Sequence, residues 1–488
     1  MIASFIGHPG PPMAFYETAQ GGLVGVTLMV VYTPQHGILL ARSGGGKSVL
    51  GQDLVSQVAG FYAVILIVDS GNSYEALTGV ISPGSRPVVV QPNGTLTVNP
   101  LDPGRQPLGP EHFSQVVLVL VVMAGRAHDE DRRRREEAVL QAAMQQLYSD
   151  HFADWERDHP EAALRIAALA CHLADQCAAQ PGLTFTEAFA VWRDAGSVWP
   201  EVSEARQLSA LKEPRHREQV RNLAYAFMAP EEQPTHSMLV ELLRFDFGAD
   251  RNTARALADA LEKWRRQGPY GPLVDGASTV DLKRGWVQFE LGSIPQRDEG
   301  LRAVAMLLVL HQIWQQVFAR PRHERKLIVL EEASALLTIP EAAQLLATVY
   351  EQARKMNAAV ITVFPAYAPL ANSPVRETVM GNSRFFLIGR LDDPQEAERL
   401  GRDLPLPPSA VEAIKQLPLP TERDRGASFL YYHRHDPLPV CGVLVNVVSP
   451  EMHYVAASHG AHVAARREHL KGDPATVLAR VSAHAKTV

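Results

Sequence analysis

The sequence predicts an α/β protein with a mostly parallel central sheet and a large all-helical insertion. Apolar runs typical of strands buried on both faces occur towards both ends of the chain, for example at residues 63–68 and Ala358–Phe364. A glycine-rich turn at residues 41–46 joins an apolar run to an amphipathic segment, in the order strand, loop, helix. Between about residues 110 and 267 the strand-like runs disappear and helical periodicity dominates. The helical stretch therefore interrupts one α/β core.

The bulk composition is that of an ordinary globular protein. Hydrophobic residues make up 46% of the 488 residues and charged residues 20%, so a large core can be buried. The net charge of −6 gives the whole molecule no basic surface for nucleic acid, so DNA binding would need a local basic groove. Three cysteines are typical of a reducing compartment. The longest apolar runs are far shorter than the ~20 residues that span a bilayer, and we expect a cytoplasmic location.

These patterns divide the chain into four parts. The first 36 residues carry clusters of Gly and Pro and are predicted to form irregular or short β structure against the core. Within the helical stretch, Thr184 and Glu187 have the spacing of a capping box, which predicts the start of a helix. We expect a first part of the core at residues 1–107, an all-helical insertion at 108–270, a second part of the core at 271–450, and a helical polar tail at 451–488.

The glycine-rich turn has the composition of a phosphate-binding loop. Its three consecutive glycines allow backbone N–H groups to turn inward on a polyphosphate, and the following helix adds the positive end of its dipole. Lys47 would reach the β- and γ-phosphates, and the Ser48 hydroxyl would join the shell of a Mg²⁺ ion. The sequence therefore predicts ATP and Mg²⁺ as cofactors, with the nucleotide held by Ala41, Arg42, Ser43, Gly44, Gly45, Gly46, Lys47, Ser48 and Val49.

One residue of this loop departs from the usual pattern. Ala41 stands where glycine is usual, a small-for-small exchange that still allows a tight loop. The alternative interpretation is a glycine-rich turn with a solvent-exposed lysine. The strand predicted before the turn and the helix predicted after it favour the phosphate-binding interpretation.

A second set of candidate residues consists of acids that directly follow apolar runs. The apolar residues 327–330 precede Glu331 and Glu332. In phosphate-loop enzymes the first such acid faces the metal and the second polarises the attacking water. We therefore predict Glu331 as a metal-facing carboxylate, although Asp is usual there, and Glu332 as the general base; the alternative is an ordinary strand end. Asp69 would either orient Mg²⁺ or water, or cap the helix that begins near Tyr74.

Four stretches of the chain, taken together, resemble the ATPase of conjugative type IV secretion systems, the TraC-like family within the HerA/FtsK type of hexameric motors. The resemblance covers nearly the whole chain and implies a RecA-like P-loop NTPase core. The tail VVSPEMHYVAAS also resembles the closing strand and helix of that family. The four stretches are ARSGGGKSVL, IVDSGNSYEAL, LIVLEEASALL followed by YEQARKMNAAVIT, and GNSRFFLIGRLDD.

The resemblance implies functional roles for individual residues. Lys47 and Ser48 match the family's phosphate and Mg²⁺ contacts, and Glu332 matches its catalytic acid. Arg354 and Arg390 match arginines that act on the nucleotide, in some arrangements from the neighbouring subunit of a ring. Surface ion pairs are the alternative role for both arginines. The resemblance also implies a hexamer that works with inner-membrane and cytoplasmic components of the conjugation channel, at the cytoplasmic face of the inner membrane.

The chain departs from the family pattern at three places. Glu331 replaces an aspartate, and Pro365 falls where a glutamine senses the γ-phosphate. Proline has no N–H group to donate, so ATP binding is better supported than fast turnover. Family members carry an N-terminal domain, whereas only 40 residues precede Ala41 here. Either the chain is the ATPase part of a longer or split protein, or other surfaces dock to the channel.

Three functions are compatible with these observations. The leading hypothesis is a subunit that couples ATP hydrolysis to assembly or operation of the transfer channel or pilus, or to substrate transfer. A DNA translocase of the HerA/FtsK or coupling-protein type is an alternative; DNA-stimulated turnover with a steep salt dependence would favour it. A second alternative is a structural subunit that binds ATP and hydrolyses it weakly or not at all.

Overall fold

The computed structural model describes residues 12–30, 33–82, 85–125, 129–280, 284–295, 297–331, 333–420, 426–434, 439–456 and 474–485. Contacts between residues divide the chain into two compact units, each with its own core. The first, called the sheet unit, comprises Met1–Val89, Lys283–Ser293 and His323–Val488. The second, called the helical unit, comprises Val90–Leu282 and Ile294–Arg322.

An eleven-stranded sheet organises the sheet unit. Its strand order is β2-β1-β13-β12-β11-β5-β10-β9-β6-β8-β7, and β3 pairs only with β4 among the described residues. In chain order the strands are β1 (Ala14–Thr18), β2 (Leu23–Val26), β3 (Met29–Val30), β4 (Thr33–Pro34), β5 (His36–Leu40), β6 (Val64–Asp69), β7 (Val88–Val89), β8 (Trp286–Glu290), β9 (Lys326–Leu330), β10 (Ala358–Phe364), β11 (Ser383–Ile388), β12 (Ala427–His433) and β13 (Val440–Asn446).

The seven strands from β11 to β7 run parallel, and the four strands from β12 to β2 are antiparallel to their neighbours. Every residue of β5, β6, β9 and β10 is buried, as expected for strands covered on both faces. This confirms the predicted α/β fold with a mostly parallel sheet. Because the strands are parallel, the carboxyl ends of β5, β6, β8, β9, β10 and β11 meet along one edge of the sheet.

Helices cover the sheet and build the helical unit. Short 3₁₀ helices occur at Ala59–Phe61, Pro230–Glu232, Glu262–Trp264 and Ala353–Met356, and a π-helix at Leu242–Asp246. The α-helices are α1 (Lys47–Val58), α2 (Glu75–Ile81), α3 (Pro110–Ala124), α4 (Glu130–Asp158), α5 (Pro160–Ala179), α6 (Phe185–Asp194), α7 (Glu204–Lys212), α8 (Pro214–Ala224), α9 (His236–Glu241), α10 (Arg251–Leu261), α11 (Gly271–Val274), α12 (Glu299–Ala319), α13 (Ser334–Leu337), α14 (Pro340–Gln352), α15 (Ala368–Ala371), α16 (Arg376–Asn382), α17 (Pro394–Asp403), α18 (Pro408–Gln416), α19 (Pro450–Ala456) and α20 (Pro474–Ala485).

The helical unit is larger than the insertion predicted at residues 108–270. It begins at Val90 and includes α12, which we expected in the second part of the core. The reason is that α12 is apolar on nearly all sides and packs against the equally apolar α3. The predicted capping box is present, because Thr184 accepts a hydrogen bond from Glu187 N and the Glu187 carboxylate accepts one from Thr184 N. Within the described part of the chain, no helix is long and apolar enough to cross a membrane.

The helices after residue 450 do not form a purely polar tail. Tyr454, Val455 and Val481 are 2%, 5% and 2% exposed and belong to the hydrophobic core of the sheet unit. They are buried because α19 packs against α1 and α2, and α20 packs against α19. Helix α19 therefore covers the same helix that leads out of the glycine-rich turn.

Candidate nucleotide-binding site

The glycine-rich turn lies at the carboxyl edge of the sheet, between two parallel neighbours of β5. β10 flanks β5 on one side and β11 on the other. Ala41 N donates a hydrogen bond to Phe364 O at 3.2 Å, and Gly389 N donates one to Leu40 O at 2.7 Å. The carboxyl ends of β10 and β11 thereby fix the point at which the turn begins.

Two glycines give the turn its shape. Gly44 has φ +77° and Gly46 has φ +82°, in the left-handed region that side chains with a Cβ rarely adopt. A Cβ added at Gly46 would lie 2.5 Å from the Ala427 Cβ on β12, whereas one added at Gly44 meets no described atom within 4 Å. The turn is therefore constrained by backbone conformation at both positions and by close packing at Gly46.

The packing around Ala41 explains why alanine can replace the usual glycine. Ala41 is fully buried. A Cβ added at Gly389, at the end of β11, would lie 2.6 Å from the Ala41 Cβ. Because Gly389 has no side chain, the methyl group of Ala41 fits beneath the turn.

The helix α1 begins at Lys47 with its N-terminus open. Gly46 is the N-cap, no side chain caps the helix, and the first turn contains no acidic residue. Among the described residues, no carboxylate forms an ion pair with Lys47; Lys47, Ser48 and Val49 are half-buried. Uncapped N–H groups, the positive end of the helix dipole and a lysine thus occur together at the start of α1, an arrangement that suits an anion.

Glu331 lies at the tip of β9 and is 6% exposed. Its backbone N donates to Val68 O at 2.9 Å, and its Oε1 accepts a hydrogen bond from the Tyr74 hydroxyl at 3.1 Å. A Cβ added at Gly51 would lie 3.3 Å from Glu331 Oε1, so the carboxylate lies against α1. Gly51 is three residues after Ser48, which places the carboxylate next to the first turn of α1.

Asp69 caps the segment that follows β6. Its Oδ1 accepts hydrogen bonds from Ser70 N, Gly71 N and the Ser73 hydroxyl, and its Oδ2 accepts them from Tyr74 N and Gln288 Nε2. Burial raises the pKa of this carboxyl, and the donated hydrogen bonds oppose that rise. Of the two roles predicted for Asp69, these contacts are those of the cap.

The sequence also singled out Glu332 and Pro365. Glu332 lies outside the described residues; its neighbours are anchored, because Glu331 N bonds to Val68 O and Ala333 N bonds to Val363 O. Pro365 follows β10 directly, at the same edge of the sheet as the turn. Pro365 thus occupies a strand end beside the site without an N–H group to offer.

Arg42 and Arg390 lie beside each other at the rim of the turn. Arg42 N donates to Arg390 O at 3.4 Å. Both guanidinium groups face Asp392: Arg42 Nη1 is 2.7 Å from Asp392 Oδ1, and Arg390 Nε is 3.8 Å from it. Asp392 is 53% exposed, so the pair with Arg42 adds at most about 1 kcal/mol. The cluster places two arginines next to the turn of their own chain.

Arg354 is not brought together with the other predicted residues. It is exposed and lies in the 3₁₀ helix Ala353–Met356, which directly precedes β10. Its charge contributes to lowering the pKa of His36, at the amino end of β5, to about 4; burial of His36 is the larger cause. The seven residues of β10 separate this end of the sheet from the turn by about 20 Å.

Sequence reasoning did not assign roles to three residues of this edge: Gly51, Tyr74 and Glu290. A glycine inside a helical pattern is a signal of close backbone approach, and Gly51 carries that signal. Glu290 ends β8, in which Gln288 interrupts the apolar residues, so it lacks the continuous apolar run that identified Glu331. Tyr74 was noted only as a helix start, because no local pattern reveals the partner of its hydroxyl.

The pKa of Glu290, the last residue of β8, is shifted far from its ordinary value. Its Oε1 accepts from Gly292 N at 2.7 Å and its Oε2 from Asn72 N at 2.8 Å. Burial, together with the charges of Asp69 and Glu75, raises its pKa to about 7 despite these two hydrogen bonds. In the folded protein it therefore holds a proton that the unfolded chain, with an ordinary glutamate pKa, has already released between pH 4.5 and 7.

We expect Glu290→Gln to flatten the dependence of stability on pH. The parent loses up to about 3 kcal/mol of unfolding free energy as the pH rises from 5 to 8, because the buried carboxylate must ionise in the folded state. The raised pKa of Asp69 acts in the same direction, so the variant removes part of the loss. Urea unfolding midpoints at pH 5 and pH 8 measure the difference; Glu377→Gln, at a carboxylate 89% exposed, is the control. Equal pH dependence in parent and Glu290→Gln would contradict the expectation.

Comparison with solved structures identifies chains of similar fold. The chain is similar to VirB4 of Thermoanaerobacter pseudethanolicus, with a TM-score of 0.62 and 15% sequence identity over 91% of this chain and 99% of that chain. Lower scores are found for the plasmid coupling protein TrwB. Its complex with ADP and Mg²⁺ gives a TM-score of 0.47 and 12% identity, over 92% of this chain and 97% of that chain.

The VirB4 likeness establishes the fold alone, because 15% identity is too low to carry over an activity. The TrwB score, below 0.5, supports no structural argument. No protein-family model and no curated protein matches the sequence. Function must therefore be argued from the residues of the site.

Proposed function

We propose that the chain is an ATP-hydrolysing motor subunit of a conjugative type IV secretion system, which energises assembly of the transfer channel or pilus, or substrate transfer. One observation carries the proposal: the buried Glu331 carboxylate lies against α1 at the same sheet edge as the glycine turn and Lys47. The fold shared with VirB4 over 91% of the chain and the four stretches resembling the TraC-like family support the choice of system.

The residues at this edge suit ATP and Mg²⁺. The positive-φ glycines shape a tight turn whose backbone N–H groups would bind phosphate oxygens, and the uncapped start of α1 and Lys47 add positive charge for the phosphates. The Ser48 hydroxyl and the Glu331 carboxylate would supply oxygen ligands, which Mg²⁺ prefers. When bound, Mg²⁺ would neutralise charge on the β- and γ-phosphates.

The remaining catalytic roles, general base and stabilisation of negative charge, are assigned to Glu332 and to an arginine. Glu332, as general base, would accept a proton from the attacking water and orient it towards the γ-phosphate. Arg390 and Arg42 lie beside the turn of their own chain, and Arg390 would stabilise charge that develops on the transferred phosphoryl group. Asp392 would have to release these guanidinium groups, at a modest energetic cost because the pair is exposed.

The position of Arg354 favours action between subunits. It lies about 20 Å from the turn of its own chain, so it could act on a nucleotide only in a neighbouring copy. A closed ring, which we take to be a hexamer, provides such a neighbour for every subunit. In the proposed function the ring works at the cytoplasmic face of the inner membrane, with components of the conjugation channel as partners.

We expect Mg²⁺-dependent phosphate release to rise more than linearly with protein concentration, because an arginine supplied by a neighbour makes turnover depend on assembly. Arg354→Ala should lower the turnover of the assembled protein about a hundredfold or more without weakening ATP binding. Phosphate release and ATP binding are measured on the same preparations, with Lys355→Ala as the exposed neighbouring control.

Glu332→Gln should bind ATP and release no phosphate. A linear concentration dependence, with full activity in Arg354→Ala, would contradict the proposed assembly.

The structural-subunit alternative has an observation in its favour. Glu331 stands where aspartate is usual, and Pro365 offers no donor at a strand end beside the site. If the chain is such a structural subunit, ATP should promote oligomerisation of the parent and of Glu332→Gln equally. Neither protein would release phosphate, whereas the motor proposal expects release from the parent.

A further inference from the structure

A buried hydrogen bond joins Tyr74 to Glu331, although the two residues are 257 positions apart. The Tyr74 hydroxyl donates to Glu331 Oε1 at 3.1 Å, and the side chain of Tyr74 is fully buried. Burial, and then the negative charges of Glu331 and Asp69, raise the pKa of this phenol well above its ordinary value. The phenol therefore keeps its proton and acts as a donor to the carboxylate.

Both partners of this bond are held by the end of β6. Tyr74 N donates to Asp69 Oδ2 at 2.9 Å, and Glu331 N donates to Val68 O at 2.9 Å. The Asp69 cap also holds the intervening segment through Ser70, Gly71 and Ser73. Two adjacent residues of β6 thus fix the ring and the carboxylate relative to each other.

A glycine in α1 makes room for the pair. A Cβ added at Gly51 would lie 2.9 Å from Tyr74 Oη and 3.3 Å from Glu331 Oε1. Both distances are closer than ordinary van der Waals contact, so a side chain there would displace one group or the other. Gly51, Tyr74 and Glu331 therefore form a matched set beneath the first turn of α1.

The glutamate explains why such a set is needed. Compared with aspartate, Glu331 has one more methylene group and one more rotatable bond between its backbone and its carboxylate. Without a fixed donor, the longer arm can place its carboxylate in several positions, and ordering it costs conformational entropy. A hydrogen bond from a rigid, buried phenol selects one position.

We propose that Tyr74 is a positioning residue, which holds the Glu331 carboxylate next to Ser48 so that a glutamate can serve the metal site where aspartate is usual. The inference rests on the proposed function, because it concerns the Mg²⁺ site of the same ATPase. Each of three residues then has one role: Gly51 provides space, Tyr74 donates the hydrogen bond, and Glu331 supplies the metal-facing carboxylate.

The test compares Tyr74→Phe with Tyr350→Phe. Tyr350 is also fully buried in the sheet unit, and its hydroxyl hydrogen-bonds Thr362 Oγ1 at 2.8 Å and the side chain of Ser383. Both variants lose a hydroxyl and keep the ring. The readout is calorimetric binding of ADP with EDTA and across a Mg²⁺ series. We expect Tyr74→Phe to raise the half-saturating Mg²⁺ concentration about tenfold, with ADP affinity in EDTA unchanged. Tyr350→Phe should match the parent. A Mg²⁺ curve of Tyr74→Phe that superimposes on that of the parent would overturn the inference.

A double-mutant cycle keeps the test decisive if Tyr74→Phe also loses stability. The shorter carboxylate of Glu331→Asp should not reach the phenol, so Tyr74→Phe on that background should change the half-saturating Mg²⁺ concentration less than twofold. Equal tenfold effects on both backgrounds would mean that Tyr74 acts other than through Glu331, and would overturn the inference.

Gly51→Ala tests the space rather than the hydrogen bond. It keeps both polar groups and improves helix propensity, so we expect a several-fold higher half-saturating Mg²⁺ concentration caused by crowding alone. Gly60→Ala, where an added Cβ meets no described atom within 4 Å, is the control. Equal Mg²⁺ dependence in the two variants would overturn the role of Gly51. A parent that binds no ADP would instead defeat the proposed function, and this inference with it.

Discussion

Lys47→Ala should lower nucleotide affinity at least about a hundredfold and remove phosphate release. The lysine stands at the start of α1, beside uncapped N–H groups and with no acidic residue in the first turn. Its ammonium group is therefore the charge available to the β- and γ-phosphates from this helix. Charge-assisted hydrogen bonds contribute about 1.5–3 kcal/mol each, and Lys47 can make more than one.

Binding of ATP by calorimetry and phosphate release measure the effect of Lys47→Ala. Lys355→Ala is the matched control, because Lys355 is exposed and lies at the opposite end of the sheet. We expect Lys355→Ala to behave as the parent and both variants to keep the parental unfolding midpoint. A folded Lys47→Ala protein that hydrolyses ATP as fast as the parent would rule out the assigned site.

Gly46→Ala should abolish nucleotide binding, whereas Gly44→Ala should weaken it about tenfold. Both glycines have positive φ, and a residue with a Cβ costs about 1–2 kcal/mol in that conformation. At Gly46 the added methyl group would also lie 2.5 Å from the Ala427 Cβ, so the turn or β12 has to move. Overpacking at Gly46 typically costs about 1–3 kcal/mol more. At Gly44 no described atom lies within 4 Å of the added group, so the backbone cost acts alone.

The two glycine variants separate backbone strain from crowding. Their nucleotide affinities and thermal unfolding midpoints are compared with those of the parent. A larger loss in Gly46→Ala, in both quantities, is the expected result. Equal losses in the two variants would show that the left-handed backbone, rather than the contact with Ala427, controls the turn. Ala427→Gly, which removes the opposing methyl group, should partly restore binding to Gly46→Ala.

Local patterns were sufficient for most of the core. Strand β10 and residues 38–40 of β5 are rich in apolar residues, and such runs in alternation with helices predict a parallel sheet. The turn from Ala41 to Ser48 was recognisable because its chemistry depends on glycines and a helix start that are adjacent in sequence. The capping box at Thr184 was predictable for the same reason, since its partners lie within one helical turn.

Long-range contacts could not be obtained in this way. The hydroxyl of Tyr74 and the carboxylate of Glu331 meet only because β6 and β9 are neighbours in the sheet. The same applies to Glu290, whose pKa is raised because β8 pairs with β6 and buries it beside Asp69. Arg354 was predicted as a site residue from resemblance alone. It lies far from the turn because it precedes the amino end of β10, whereas the turn lies at the carboxyl edge of the sheet.

The difference has a physical origin. Helix starts, tight turns and buried strands depend on backbone conformation and on side chains a few positions apart, so the amino-acid order already contains them. The set formed by Gly51, Tyr74 and Glu331 depends on strand order and on packing distances between segments remote in the chain. Those quantities arise only when the sheet and its helices pack, and they decide how the Glu331 carboxylate is held against α1.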